Sequence, residues 1–462
     1  MLHYDSLLDV SRRIRAGELS SAEVTAALLD RIAALDGTLH STVLVMADEA
    51  MEQARRADAE IVQGQWRGPL HGVPIGIKDL LWTKGLPTTG GMHIHRDFRP
   101  DEDATVVERL KQAGAVLIAK LHMTEGATFD HHPKFPRPVN PWSAAHWTGV
   151  SSSGSGVATA AGLCFGAIGS DTGGSIRMPS AANNLTGIKP TWGRVSRHGI
   201  MHLAESLDHL GPMARSALDA AAILQAIAGF DPKDPTSLTA PVPDYLAGAD
   251  EGIAGLRLGI DWDYAAGGIE EPVVTALQAT LAVLERFGAK VIEVTFPWRT
   301  EDGMRTQAAF GAELAHAHAD WFPQQAEGYG PWLRSTLEAA QGIRGIDVVS
   351  ANNERERFRG RVRALFEEID LLLVPALGRV LPTWEFMTGM GGDKPFDTEV
   401  LRFTTPFNMS GTPTITLPAG FTAEGLPIGM QLAGTWLSEP LLVRAGAAFQ
   451  RETDFHQRHP DL

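Results

Sequence analysis

The stretch "TVVERLKQAGAVLIA", residues 105–119, contains both halves of an α/β protein. Thr105 to Ala113 reads as a helix, Gly114 stops it, and Ala115-Val-Leu-Ile-Ala119 follows as a fully apolar strand of the kind buried on both faces. Upstream, Val73-Pro-Ile-Gly-Ile-Lys-Asp79 is short, apolar and bounded by Gly and Pro, again strand-like. Downstream the alternation recurs: strand Leu256 to Ile260, helix Glu271 to Phe287, strand Val291 to Val294, helix Asn352 to Phe366, strand Leu371 to Val374. Such a pattern predicts an α/β fold with a mostly buried sheet.

The first 65 residues read as a helical segment. Ser20-Ser21-Ala22-Glu23 offers a capping box, Val24, Ala27, Leu28, Ile32 and Leu35 follow at helical spacing, and Ala47 to Val62 continues in the same style. About 300–370 is helix-rich and reads as a side lobe. With no internal repeat and no low-complexity linker, the expected organisation is one large domain over 1–462.

The chain has 462 residues, a net charge of −15 and an ordinary globular composition. An acidic surface repels phosphate backbones, so a nucleic-acid partner is not expected. Cys164 is the only cysteine, which rules out an intramolecular disulfide and fits a cytoplasmic location. The start, MLHYDSLLDVSRRIRAG, lacks the apolar core of a secretory signal. Trp147 to Ser170 carries no charged residue, but two thirds of TGVSSSGSGVATAAG is Ser, Thr and Gly. It reads as a buried small-residue segment, not a membrane span, and no membrane association is expected.

Several familiar chemistries are absent. Gly149-Val-Ser151-Ser-Ser153 lacks the closing glycine of a serine elbow, no lysine follows a serine by three positions, and there is no phosphate loop. Gly154-Ser-Gly156 meets only half of a dinucleotide fingerprint, since Thr159 replaces its third glycine. His93-Ile-His95 and His131-His132 with Asp130 suggest a metal, but His93-Ile-His95 does not follow a clear strand. Surface or hydrogen-bonding histidines are the plainer reading, and neither metal nor cofactor is expected.

What remains is Lys78 and two serine-bearing glycine loops. Lys78 stands with Asp79 at the end of an apolar run: either a solvated strand-end lysine or one forced into low dielectric, where burial favours a neutral, proton-accepting amine. Gly173-Gly174-Ser175, at the mouth of what reads as a helix, is alone no more than a turn.

Together these pieces resemble the amidase signature family over most of the chain. The motifs are Gly-Val-Pro-Ile-Gly-Ile-Lys-Asp at 72–79, the loop Thr148-Gly-Val-Ser151-Ser152-Ser153-Gly-Ser155-Gly, and Gly169-Ser-Asp171-Thr-Gly173-Gly174-Ser175-Ile-Arg177-Met-Pro-Ser. Ser151 and Ser175 stand 24 positions apart, as in that family. Gly187-Ile-Lys-Pro-Thr191, Gly193-Arg194-Val195-Ser196, Asp208-His209-Leu-Gly-Pro212, Pro406-Phe-Asn408 and Gly425-Leu-Pro-Ile-Gly429-Met-Gln-Leu follow in order.

The resemblance implies a large mixed β-sheet core flanked by helices on both sides. It implies a cofactor-free serine hydrolase that cleaves the C–N bond of an amide, an aryl amide included. Ser175 is then the nucleophile, Ser151 a middle serine after a cis peptide, and Lys78 the terminal base. Backbone N–H groups of Thr172, Gly173, Gly174 and Ser175 would bind the oxyanion, which glycines leave unobstructed. Val150 and Ser153 stand where the family has glycine, leaving the loop geometry open. Arg177 and Asp171 read as a charge pair holding the loop, with carboxylate binding by Arg177 as the minority alternative.

The aromatic, Pro-rich segment 129–147 leads into the Ser151 loop and suggests a cleft wall, with Phe129, His131, Trp142 and Trp147 as candidate substrate residues and Ser152 beside them. Trp384-Glu-Phe-Met-Thr-Gly-Met390 and Phe403 suggest a second wall. Carbamate (urethane) and ester hydrolysis are close rivals on the same triad. A glutaminase subunit of a tRNA-dependent amidotransferase is a further alternative, which the aromatic segment and plain C-terminus do not favour. A catalytically dead binding protein conflicts with the presence of all three triad residues. The expected partner is a small amide, carbamate or ester, and a homo-oligomer is left open.

Overall fold

The computed structural model describes residues 1–298, 300–389 and 400–462. Among the described residues, eleven strands form one mixed sheet. In chain order they are β1 (Thr42–Val45), β2 (Pro74–Lys78), β3 (Val116–Leu121), β4 (Gly166–Asp171), β5 (Thr186–Lys189) and β6 (His209–Ala214). Then come β7 (Arg257–Ile260), β8 (Lys290–Glu293), β9 (Leu371–Pro375), β10 (Thr414–Phe421) and β11 (Pro427–Gly434). The spatial order is β1-β3-β2-β4-β6-β5-β10-β11-β9-β7-β8.

Two parallel trios stand in this sheet. β2 runs parallel to both β3 and β4, and β7 runs parallel to both β8 and β9. The strands between them, β6, β5, β10 and β11, pair antiparallel. Five of the six trio strands are the apolar runs that alternate with helices in the sequence; β4 was not expected, and β3 starts one residue later than the expected strand and ends two later. The helical reading of the first 65 residues needs one correction: the chain turns at His40 and lays β1 antiparallel against β3. The run Thr42-Val-Leu-Val45 is too short to show a period of its own. The Ser20–Glu23 capping box is present at the start of helix Ser21–Leu39.

Helices cover both faces. Side chains alternate along β4, so Gly166 and Gly169 address opposite faces. At Gly166 a side chain would strike Ile223 of helix Ala217–Ile227, and at Gly169 it would meet Ser152 and Ile176. Helix Arg177–Ala182 lies so close to the sheet that its neighbours are glycines: Gly187 faces Ser180 and Ile176, Gly211 faces Ile176, and Gly429 faces Ala181. The uncharged segment after Trp147 forms the buried helix Ser153–Ala160 and then β4. Gly154 in that helix touches the backbone of Ser41 and His122, which is why its residues are small. No helix among the described residues is long and apolar enough to cross a membrane. The stretch 300–370 contains helices Thr300–Ala317, Pro331–Ala340 and Gly345–Glu368.

Candidate active site

β2 ends at Lys78, between two parallel neighbours, with every residue of the strand buried. The Lys78 side chain is 0% exposed. Its Nζ lies 2.7 Å from Ser151 Oγ, 2.9 Å from Ser152 Oγ and 2.8 Å from Ser170 Oγ. Burial pushes the amine well below the ordinary lysine range, against the opposing pull of Asp171 and Asp208. A neutral amine donates two hydrogens and offers one lone pair, so three hydroxyls saturate it while one of them can give it a proton.

Ser151 follows a cis Val150–Ser151 peptide, as the resemblance implied. Its carbonyl accepts from Thr124 N at 3.2 Å. Ser152 is tied to the Ser170 backbone, donating to its carbonyl and accepting from its N–H, each at 3.2 Å. Ser152 is fully buried, with its hydroxyl among Lys78 and the Ser170 backbone. Both residues that depart from glycine have places. Val150 packs with Trp147, Met178 and Ala181, and Ser153 Oγ lies 2.9 Å from His131 Nε2.

The turn after β4 is organised by Asp171. Its carboxylate accepts from Gly174 N at 2.8 Å and Ile176 N at 3.0 Å, and faces Arg177 with both oxygens, at 2.8 and 3.0 Å. Burial alone would raise this carboxyl; the Arg177 guanidinium, with Lys189 and Asn408, reverses that and holds it far below the usual carboxylate range. Arg177 is itself fully buried and gives its remaining N–H groups to Thr404 O, Gln431 and Asn408. It has no donor left for a substrate carboxylate, so the minority reading of Arg177 falls.

The oxyanion expectation needs one correction. The Gly174 N–H is committed to Asp171, because the carboxylate sits beneath the turn. Among the described residues the N–H groups of Thr172, Gly173 and Ser175 have no acceptor. Gly174 is glycine for its backbone, with φ +136° and Thr404 where a Cβ would be, whereas a Cβ at Gly173 would meet nothing nearer than Thr405 Oγ1 at 3.8 Å. Thr172 is anchored through its hydroxyl to Asp208 at 2.6 Å.

Lys78 and Ser151 are thus joined directly. Ser175, 7% exposed, lies in the turn after β4, which packs against the serine loop. Gly149, two residues before Ser151, lies against the Pro179 backbone, and Ser152 and Ile176 both flank Gly169. Among the described residues the Ser175 hydroxyl makes no hydrogen bond, to Ser151 or to any other group.

The expected cleft wall divides. Phe129 and Trp384 are half-buried and pack with Trp147, Val150, Met178 and Leu401 in one apolar cluster beside the serine loop. Trp147 is 0% exposed and backs this cluster without a face for substrate. Trp142 is elsewhere: it donates to Asn183 O at 3.2 Å and packs on Phe421 at the far end of β10. Phe403 packs on Tyr264, in a separate cluster. Met390 lies outside the described residues. His131 is buried against Ser153 and borders a cavity. His93 stacks on His132, His95 meets Trp321 edge-on, and no group of three or more His, Cys, Asp or Glu among the described residues could hold a metal.

Sequence reasoning assigned no role to Ser170, Thr404, Asn408 or Gln431. Asn408 and Gln431 stand in motifs already visible, but only the fold shows them clasping the Asp171–Arg177 pair.

Residues 23–443 match the family model described as Amidase. Over 457 residues the chain is 49% identical to the protein AmiD of Mycobacterium tuberculosis, covering 99% of this chain and 96% of the relative. It is 36% identical over 495 residues to a glutamyl-tRNA(Gln) amidotransferase subunit of Moorella thermoacetica, covering 100% of this chain and 99% of that one. The structure of native peptide amidase from Stenotrophomonas maltophilia superposes with a TM-score of 0.82 at 31% identity, over 99% of this chain and 98% of the other. The chain belongs to the amidase family, the amidase signature enzymes, hydrolases of carbon–nitrogen bonds other than peptide bonds.

Proposed function

Starting from that membership, we propose that the chain hydrolyses a small amide through an acyl-enzyme on Ser175, with Ser151 and Lys78 as proton relay. The observation that carries this reading is the buried Lys78 amine 2.7 Å from Ser151 Oγ. A serine hydroxyl attacks a carbonyl only if a base removes its proton. Neutral Lys78 takes the Ser151 proton as Ser151 takes that of Ser175. The Ser175 hydroxyl swings to Ser151 when substrate is bound, as catalytic hydrogen bonds tighten in the complex.

Ser175 Oγ then bonds to the carbonyl carbon, and the oxyanion is met by the free N–H groups of Thr172, Gly173 and Ser175. One such donor is worth about 3–4 kcal/mol to the transition state. Run in reverse, the relay delivers the proton to the departing nitrogen as the C–N bond breaks. Water attacks the acyl-enzyme, its proton passes along the same relay, and Ser175 is released with a carboxylic acid. The apolar cluster of Phe129, Trp384, Leu401 and Met178 beside the loop suits an aryl or apolar group.

Carbamates and esters present the same carbonyl and remain rivals. The identity to the amidotransferase subunit keeps a glutaminase reading as the second alternative. A panel of chromogenic anilides, carbamates and esters, with glutamine beside them, ranks all four. Wild type should turn over an aryl amide, while Ser175→Ala and Lys78→Ala should each lose about 10⁴-fold or more in kcat. Survival of activity in both variants overturns the relay, and glutamine as the preferred substrate selects the alternative.

A further inference from the structure

Ser151 and Ser175 come from different segments, and polar contacts between those segments are few. Among the described residues, one hydrogen bond runs directly from residues 172–183 to residues 147–156: Asn183 Nδ2 donates to Thr148 O at 2.8 Å. The same nitrogen donates to Pro179 O at 2.8 Å. Asn140 repeats the pattern from outside both segments, its Nδ2 donating to Trp147 O at 2.8 Å and to Ala182 O at 3.0 Å. Two carboxamides thus hold successive carbonyls of the chain entering the Ser151 loop to carbonyls of helix Arg177–Ala182, which follows Ser175.

Both asparagines are 1% exposed. The four carbonyl acceptors decide which end of each carboxamide is nitrogen, and Asn140 Oδ1 agrees by accepting from Trp142 N at 2.9 Å. The space around Asn183 is closed: a Cβ at Gly156, on the helix after Ser151, would stand 2.6 Å from its Nδ2. Asn183 Oδ1 is buried without a donor. Such an acceptor is costly, and the residue carries that cost while its nitrogen serves both segments.

Asn184 supplies a contrast. Its Nδ2 also donates to two carbonyls, Phe455 O at 2.7 Å and Arg458 O at 3.1 Å, but these belong to the C-terminal segment. A further tether of the serine loop, Thr124 N to Ser151 O, leads to the segment of Glu125, a carboxyl that burial pushes up to about 7, and not to the helix.

A relay through two hydroxyls depends on their separation, and a misplacement of about 1 Å can cost about 10²-fold in rate. We propose that Asn140 and Asn183 are positioning residues: their carboxamide bridges set how Ser151 and Ser175 stand to one another, and with it the rate at which Ser175 is acylated. Both act through the backbone carbonyls they hold. The inference rests on the amide-hydrolase reading for what that placement does, and not for the bridges themselves.

A fluorophosphonate probe reads acylation without a chosen substrate: the Ser175 Oγ–P bond forms, the P–F bond breaks, fluoride leaves and the hydroxyl proton passes to the relay. Well below each melting temperature, Asn183→Ala and Asn140→Ala should each be labelled about tenfold or more slower than the wild type. Asn184→Gly keeps the left-handed backbone (φ 58°), loses an equal pair of bonds, and should stay within about twofold of the wild type. On an anilide the bridge variants should lose kcat and keep KM, and the acid limb of kcat/KM should keep its midpoint, since Lys78 is untouched. Asn183→Ser is run beside them to spare the fold: its hydroxyl reaches the i−4 carbonyl of Pro179, the bridge to Thr148 is gone, and labelling should still slow. Equal slowing in the bridge variants and Asn184→Gly, or wild-type labelling in a folded bridge variant, overturns the proposal. Hydrogen exchange is followed in parallel. The N–H groups of residues 149–152 and 173–175 should exchange faster in the bridge variants and not in Asn184→Gly. If the wild type takes neither the probe nor an anilide, the hydrolase reading fails, and the exchange pattern alone decides whether the bridges hold the two segments.

Discussion

The two parallel trios of the sheet share a topology and differ in what they bury. In β3-β2-β4 the strand ends carry Lys78, Ser170 and Asp171, with Asp79 and Lys120 paired at 3.2 Å nearby, all buried. In β9-β7-β8, β9 is Leu-Leu-Leu-Val-Pro and β8 is half exposed. Each trio has an aspartate at or just past a strand end. Among the described residues Asp261, after β7, accepts only backbone N–H groups, from Tyr264 at 2.9 Å and Phe296 at 2.6 Å. Asp171 does that and also carries a buried cation. Carboxyl ends of parallel strands are a general place for sites, because side chains and helix starts converge there. Topology supplies the place only; the proposed chemistry rests on a buried lysine surrounded by hydroxyls.

The largest test of that contrast is the ion pair under each trio. Arg177→Met strips a fully buried partner from Asp171, leaves Asn408 and Gln431 without their donor, and should cost about 3–5 kcal/mol in urea unfolding. Amidase activity should go with it, since the Gly173–Ser175 turn hangs on Asp171. Arg257→Met breaks the Arg257–Asp370 pair at the start of β7, whose side chains are 40% and 27% exposed. Its effect should be barely measurable and activity should stay. Similar losses in both variants would mean that burial does not separate the trios.

The same contrast explains what could be read in the sequence. Outer strands announced themselves: β2, β3, β7 and β9 are apolar runs next to helices. The strands between, from β4 through β11, did not. Helix Arg177–Ala182 lies so near that Gly187, Gly211 and Gly429 replace side chains, and a period of two cannot be read from residues with no side chain. The residues of the proposed relay, Lys78, Ser151 and Ser175, stand in the motif words that carry the family resemblance. The clasp of Thr404, Asn408 and Gln431 was not legible, since its members meet Asp171 and Arg177 only across the folded sheet. Gly174 was legible as a glycine but misread in purpose. Its N–H turns to Asp171, a direction set by φ and not by residue type.

Gly174 and Gly173 sharpen the point within the site trio. Gly174→Ala puts a side chain at φ +136° with its Cβ 2.7 Å from Thr404 Oγ1, and should cost about 1–3 kcal/mol. Gly173→Ala meets nothing closer than 3.8 Å and should unfold with the wild type. Its methyl group would stand at the turn whose N–H groups are free, so activity should fall while the melting temperature holds. If Gly173→Ala lost stability and kept activity, the roles of the two glycines would be exchanged.

The smallest effect is the pH dependence that a buried lysine imposes. Lys78 is held well below its ordinary value when folded and returns to that value, near 10.5, when unfolded. Between those two values the unfolded chain binds the extra proton, so stability rises with pH there; below the folded value the penalty is constant. One proton corresponds to about 1.4 kcal/mol per pH unit at most. Lys78→Met removes that proton from both states, so the slope of unfolding free energy against pH should flatten over the same window. In the active enzyme, kcat/KM on a neutral amide should fall as pH drops through the depressed value, because an ammonium cannot accept the Ser151 proton. The two readouts belong to one group. A flattened stability slope without an acid limb in the rate would leave Lys78 neutral but outside the relay. An acid limb with an unchanged slope would assign the limb to another residue, with Glu125, at about 7, the first to replace.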